Sequence, residues 1–535
     1  MSKIYKYTAS IIIAVTFFSC DGYLKEDSAD LLIPKSVSEY VPILLGEGYP
    51  DYFDSQISFV NLMTDDVEMG PLYYDPLQKG DPKCVSKWRE GIDSNAGYGQ
   101  YAHIWQQDYS EQLTDKFWSG RYSNILGCNA IIEALPTMEY AEPEEGDYRK
   151  LAAQAHALRA YHYFCLINTY ALPYSAENLN KPGVVIKTSS QIQIAPQERA
   201  TIKQVYDLIN DDIQKAQEYM TGANFKCSKM EITPEAIYFL ASRIALFQND
   251  WDGVIRTSEK FLALNTAIHD LTNEPEEGLG FRHSYKNTEY TYCANNAELD
   301  EVVFAFARKD KGTSYLAPYN TTLMYYEYGF HPSWSGENAL MDLYDEDDLR
   351  LLAYFERRYD KSGTRFSPIY YAGQYHPLKY NSRPGTGYTA QAWRTPEIYL
   401  NLAEAYAQKA TTVSTDAIEH LNKLRIKKFK AGSPQAEKSS NDFRTKEDLI
   451  RFIGDERRRE LCFEEAMRFW DMRRQGMPAV EHRLFSTVND YSVYSLKAGS
   501  PNYVLPIPTD ETSYNTGIIN NIRETIGASS TGSLE

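Results

Sequence analysis

Two helix starts, Thr233-Pro234-Glu235 and Thr395-Pro396-Glu397, constrain this chain most. A threonine can cap the first turn, and a proline at the first helical position fits because its missing N–H would have no intrahelical partner. Leu240, Ala241 and Ala245 after the first start match Leu402, Ala403 and Ala407 after the second at one constant offset. Alanines on a helix face let a second helix approach closely. A partner helix follows each: Val254, Ile255, Phe261 and Leu262 after the turn Asn249–Asp252, and Ala417, Ile418, Leu421 and Leu424 in the second case.

The same three-and-four spacing runs from Trp118 through Tyr122, Ile125, Asn129 and Ile132 until Pro136, and from about 147 until Pro173. Thr201 is the expected cap of a further helix that carries Ile202, Val205, Ile209, Ile213 and Ala216. About four helix pairs result, of the kind that tetratricopeptide-type stacks use. The expected class is mainly α: tetratricopeptide-like helix pairs in a curved scaffold (about 115–269 and 393–475), with a loop-rich variable portion and small β elements. Two tracts, 51–114 and 270–392, lack the period and are rich in Gly, Pro, Asn, Asp and aromatics. Loops of that length are functional or hide short elements, and Val302–Phe306 is the clearest strand within them.

The amino terminus has Lys3 and Lys6, then the apolar run Ile11–Phe18, Ser19 and Cys20. The run is about half of what a membrane-spanning helix needs, so residues 1–19 read as a removed secretion signal. A cysteine directly behind it suggests a bacterial lipoprotein acylated at Cys20, with 20–50 as tether and lead-in; an ordinary signal with an incidental cysteine is the competing reading. The net charge of −18 becomes two units more negative without Lys3 and Lys6. Such a surface repels nucleic acid. The seven cysteines show no C-x-x-C spacing, so neither a zinc site nor a disulfide framework is expected; Cys128, Cys165 and Cys462 read as buried small hydrophobes.

Five stretches, in order, resemble one family. They are WSGRYSNILGCN (Trp118–Asn129), LRAYHYFCLINTYALP (Leu158–Pro173), RTPEIYLNLAEA (Arg394–Ala405), DERRRELCFEEAMRFWDMRR (Asp455–Arg474) and YVLPIP (Tyr503–Pro508). Together with Cys20 they resemble the SusD/RagB family of surface lipoproteins of Bacteroidota. Ala171 and Glu465 stand where that family usually has glycine. The resemblance implies a single SusD-like domain over 51–535 at the outer membrane, facing the cell exterior. It also implies a partner, a SusC-like TonB-dependent β-barrel, to which captured glycan or, in some branches, peptide is passed.

No motif assembles a nucleophile with its base, so neither catalytic residues nor a cofactor is expected. The charges of 455–474 alternate at three-and-four spacing and read as intrahelical ion pairs rather than a catalytic carboxylate pair. The run Asp342, Asp345–Asp348 lacks the spacing of a calcium loop and reads as a solvated helix end or an aspartate pairing with Arg350. No metal site is expected. Gly385–Ala390 reads G-x-G-x-x-A, but no strand leads into it.

Forty-three tyrosines are the compositional oddity. An aromatic plate takes the C–H face of a sugar, and Asn, Asp or Arg takes its hydroxyl edge. The candidate ligand residues are therefore Tyr73, Tyr74, Trp88, Arg89, Asp93, Asn95, Tyr98 and Tyr101 in the first tract, and Tyr315, Tyr319, Tyr325, Tyr326, Tyr328 and Trp334 in the second. For any single ring, packing onto the helices is the competing role. Trp105 and Trp118 read as core.

Overall fold

The computed structural model describes residues 34–50, 58–69, 97–106, 116–191, 193–274, 294, 296–308, 330–333, 338–357, 375–377, 379, 389–486 and 490–533. Nine helices carry the scaffold: α1 (Lys116–Ala134), α2 (Glu145–Tyr170), α3 (Ile202–Met220), α4 (Pro234–Phe247), α5 (Trp251–Leu262), α6 (Pro396–Lys409), α7 (Thr415–Arg425), α8 (Lys446–Leu461) and α9 (Met467–Arg474). The expected pairs form: α1 with α2, α2 with α3, α4 with α5, and α6 with α7, while α6 also packs on α5 and α8. Leu240, Ala241, Ala245, Leu402, Ala403 and Ala407 are all buried in one large core. Among the described residues no helix is long and apolar enough to cross a membrane.

Local chemistry sets the ends. Thr201 accepts from the Gln204 N–H and Gln204 reaches back, a complete capping box. Thr233 caps α4 at the Ala236 N–H, and Asp250 caps α5 at the Gly253 N–H. Thr395 departs from its twin: its backbone is already helical, and its hydroxyl donates to the Glu301 carbonyl instead. Every residue of α2 from Leu151 to Tyr170 is buried, so this helix is enclosed on all sides. Its polar groups are paired inside: Arg159 holds Asp212 at 2.8 Å, His156 Nδ1 meets Asp212 at 2.6 Å, and His162 Nε2 meets the Gly48 carbonyl at 2.8 Å.

The strands are short, and six of them lie in or border the two aperiodic tracts. β1 (Val67–Met69) pairs with β3 (Phe330–Pro332), β2 (Val302–Arg308) with β6 (Thr389–Arg394), and β4 (Phe355–Arg357) with β5 (Tyr375–Pro377). β7 (Val480–Phe485), β8 (Asp490–Leu496) and β9 (Ser530–Ser533) form one antiparallel sheet in that order. The expected strand at Val302–Phe306 is thus the start of β2. Thr389 enters a strand rather than a helix, which removes the dinucleotide reading of the glycine run before it. Cys128, Cys165 and Cys462 are buried free thiols, as expected, and Asp348 binds Arg350 in a buried two-point ion pair.

The charged segment 455–474 corrects the sequence reading twice. It is two helices, not one: the chain breaks between α8 and α9, where Phe463 (φ 63°) and Glu465 (φ 45°) are left-handed. Its charges also pair mostly across the fold. Within the segment Glu456–Arg459, Asp471–Arg474 and, across the break, Arg457–Asp471 meet, whereas Arg457 also reaches Asn401 on α6 and Arg474 reaches Glu404 there. Burial is the reason. In the interior a guanidinium needs two or three fixed acceptors, and neighbours on one helix cannot supply them all.

Candidate functional site

The two aromatic-rich tracts share one foundation, built from segment 58–69. Leu62, Met63, Thr64 and Asp65 would leave bare carbonyls at the edge of the core, so side chains from elsewhere cap them. Trp105 Nε1 donates to the Met63 carbonyl at 3.0 Å, and His103 Nδ1 meets the Leu62 carbonyl at 2.8 Å. His482, from β7, stacks on both rings, with centroids 3.8 Å from His103 and 4.3 Å from Trp105. Its nitrogens face the carbonyls of His103 and Thr64. Burial pulls His482 down to about 4 although both carbonyls favour the charged ring. The neutral ring therefore donates to one carbonyl only. Asn61 Nδ2 donates to the Glu465 carbonyl and ties the same segment to the α8–α9 break.

Asp65 and Asp66 complete the foundation. Arg468 grips Asp65 with two bonds of 2.6 and 2.7 Å. Arg458 pairs with Asp66 and donates to the carbonyls of Asp65 and Asn338, each at 2.7 Å. Burial opposes ionisation of both acids. For Asp65 the two arginines outweigh burial and hold the carboxyl far below its ordinary range; for Asp66 burial and the neighbouring Asp65 charge raise it. Ser333 joins from the second tract: its N–H donates to the Asp66 carbonyl at 2.8 Å and its hydroxyl donates to the Asp65 carbonyl. Arg458 thus holds the bases of both tracts with one side chain.

The β1–β3 ladder gives this meeting a direction. Met69 stands opposite Phe330, Glu68 opposite His331 and Val67 opposite Pro332. Met69 and Phe330 therefore share one end of the ladder. Trp334 directly follows Ser333.

Of the sequence candidates, Tyr101 is placed with its side chain: it stands 45% exposed on the short helix Gly97–His103, beside buried Ala102 and His103. Tyr98 lies on the same helix. Tyr73, Tyr74, Trp88, Arg89, Asp93, Asn95, Tyr315, Tyr319, Tyr325, Tyr326, Tyr328, Trp334 and Cys20 lie outside the described residues. Trp105 and Trp118 are core, as read from the sequence. Sequence reasoning missed Asp65, Asp66, His103 and His482. An acidic doublet inside an aromatic loop tract was the available signal.

Glu456 and Glu460 of α8 are structural ion-pair partners. Glu460 is fully buried, and although burial opposes its charge, Lys428, Arg394, Arg350 and Lys379 hold it down at about 2. Glu456 is likewise buried, against Arg350, Arg425 and Arg459. A carboxyl that protonates a leaving group needs a raised pKa and contact with a cleft. Among the described residues no cluster of His, Cys, Asp and Glu is arranged to hold a metal ion.

Comparison with known proteins places this architecture. Residues 318–523 match the model of the SusD family, and residues 60–246 match the model described as starch-binding associating with outer membrane. SusD-like protein P2 of Formosa agariphila is 21% identical over 97% of this chain and 99% of its own length. A SusD-like carbohydrate binding protein of Bacteroides vulgatus superposes with a TM-score of 0.60 at 18% identity, over 92% of this chain and 98% of that one. A SusD superfamily protein of Bacteroides thetaiotaomicron gives 0.63 at 19% identity, over 91% and 100%. With two models of one family matched in order along its length and the same helical architecture in its neighbours, this chain belongs to the SusD/RagB family.

Proposed function

We propose that this chain captures oligosaccharide at the cell surface and passes it, chemically unaltered, to a partner TonB-dependent β-barrel of the outer membrane. The observation that carries the reading is the β1–β3 ladder, which roots both aromatic-rich tracts at one place. Rings of 70–101 and 309–334 then work within reach of a common ligand, stacking on sugar faces while Arg89, Asp93 and Asn95 take hydroxyl edges. The relatives support the ligand class: one is described as carbohydrate binding, and one matched model as starch-binding and outer-membrane associated. A few stacked rings and hydrogen bonds give affinities of about micromolar to millimolar, which suits a protein that must release its cargo.

In the same proposal residues 1–19 are removed, Cys20 carries the lipid, 20–50 tether, and 51–535 act as one SusD-like domain on the outer face of the membrane. The scaffold of helices positions the loops and takes no part in chemistry.

Calorimetry with glycan and peptide panels tests this on the chain from residue 21, together with Trp88→Ala and Trp334→Ala. The expected result is binding of a glycan class, weakened about tenfold in each variant. Peptide binding without dependence on those rings replaces glycan by peptide, held through its backbone. Release of reducing sugar from any glycan overturns the non-enzymatic reading.

A further inference from the structure

The four most exposed large apolar side chains among the described residues are Ile194 (94%), Tyr514 (90%), Ile522 (85%) and Ile519 (82%). No other exceeds 50%. All four belong to two segments, 193–200 and 509–526, that are stitched together. The Gln197 N–H donates to Asn515 Oδ1 at 2.9 Å, and Arg199 Nη1 donates to the Ile519 carbonyl at 3.1 Å and to Asn521 Oδ1 at 2.8 Å. Gly517 lies so close that a Cβ there would stand 2.8 Å from the Gln197 carbonyl oxygen.

These side chains point outward because their backbone is pinned, not because it frays. Asn520 bonds both the N–H and the carbonyl of Ile507, and Asn521 Nδ2 donates to the carbonyls of Tyr170 and Leu505. Ile518 and Arg523, which flank Ile519 and Ile522 in the sequence, are buried. Preorganised apolar groups that stay in water are the usual mark of a partner surface, whereas singly scattered ones are not.

The exposed charge within the two segments is one-sided. Their two cations turn inward: Arg199 onto the carbonyls of Gly183 and Tyr170, Arg523 onto that of Val504. Glu198, Asp510 and Glu524 remain exposed. A second copy packed by two-fold symmetry would set this acidic rim against itself, and an anionic lipid surface would repel it. We propose that Ile194, Tyr514, Ile519 and Ile522 form a docking face for a different protein, one that presents an apolar centre ringed by lysine or arginine. The proposal stands apart from the glycan reading and does not depend on it.

Photocrosslinking tests it in the native cell. Full-length chain carries p-benzoylphenylalanine at position 519 or 522, with position 264 as the control on a different exposed segment. The supporting result is one heterologous product from 519 and 522 and not from 264, with Lys or Arg in the crosslinked peptide. The same product must fall at least tenfold when Glu198→Lys, Asp510→Lys and Glu524→Lys are combined, while the melting temperature is unchanged. Products with a second copy, products with lipid, an equal yield from 264, indifference to the charge reversal, or no product at all each overturn it.

Discussion

Arg458 and Asp66 form a buried ion pair across 392 residues of sequence, and the same guanidinium holds the carbonyls of Asp65 and Asn338. One side chain of α8 therefore fixes the foot of both loop tracts. Arg458→Met is expected to destabilise the protein by about 3 kcal/mol, because Asp66 keeps its burial and loses its closest cation. Adding Asp66→Leu should restore part of that loss, leaving the cost of the uncapped Asn338 carbonyl, since the Ser333 hydroxyl still donates to that of Asp65. Urea unfolding of both variants measures the difference.

Glu465 occupies a left-handed position where glycine would be free of strain, yet its carboxylate accepts from Tyr161 at 2.7 Å and from Arg243 at 2.7 Å. Glu465→Gly relieves about 1 kcal/mol of backbone strain and gives up both bonds. Arg243 keeps its two bonds to Glu397, so the net loss should be about 1 to 3 kcal/mol rather than collapse. A melting temperature equal to or above that of the parent would show that the bonds do not outweigh the strain.

Stability should fall on acidification in two windows. His482 is held at about 4 against an ordinary 6.5, so its preference for the neutral ring contributes fully above pH 6.5 and is lost as pH falls to about 4. Glu460 is held at about 2 against 4.5, so its contribution is present above pH 4.5 and is lost as pH falls further. His482→Asn should reduce the upper window, to which buried His162 also contributes, and leave the lower one. Melting temperatures between pH 3 and 8 read both.

Tyr101 is exposed on the helix that closes the first tract, so truncation should cost little stability. Tyr101→Ala is expected to shift unfolding free energy by less than about 0.5 kcal/mol. It should weaken glycan binding about five- to tenfold, the worth of one stacked ring. Titration of the glycan identified with the parent protein, alongside urea unfolding, separates the two effects.

Thr233 and Thr395 begin twin sequences but do different work. Thr233→Ala removes a cap and should cost about 1 kcal/mol. Thr395→Ser keeps the hydroxyl that bonds the Glu301 carbonyl and should cost less than Thr395→Ala by a similar amount. Chemical denaturation of the three variants orders them.

The helices were legible because their signals are local. Three-and-four spacing, a threonine before a proline, and prolines at 136 and 173 act within a turn or two of chain, and the helix ends they mark fall within three residues of them. The charges of 455–474 were legible as structural but not in their partners. Spacing along one helix suggests neighbours, whereas Arg458 and Arg468 turn to Asp65 and Asp66 because packing buries them together. The same limit applied to the rings. Tyr101 and Trp105 sit four residues apart in one aperiodic tract, and one faces solvent while the other is fully enclosed.

By itself the sequence determined the helical scaffold, its punctuation and its family, since those follow from periods and caps that any short stretch carries. Only the tertiary structure decided which acid meets which arginine, and that two strands more than two hundred residues apart, one from each tract, form one ladder. An ion pair or a cross-strand bond gains its strength from proximity and the exclusion of water, and neither exists until the helices have packed.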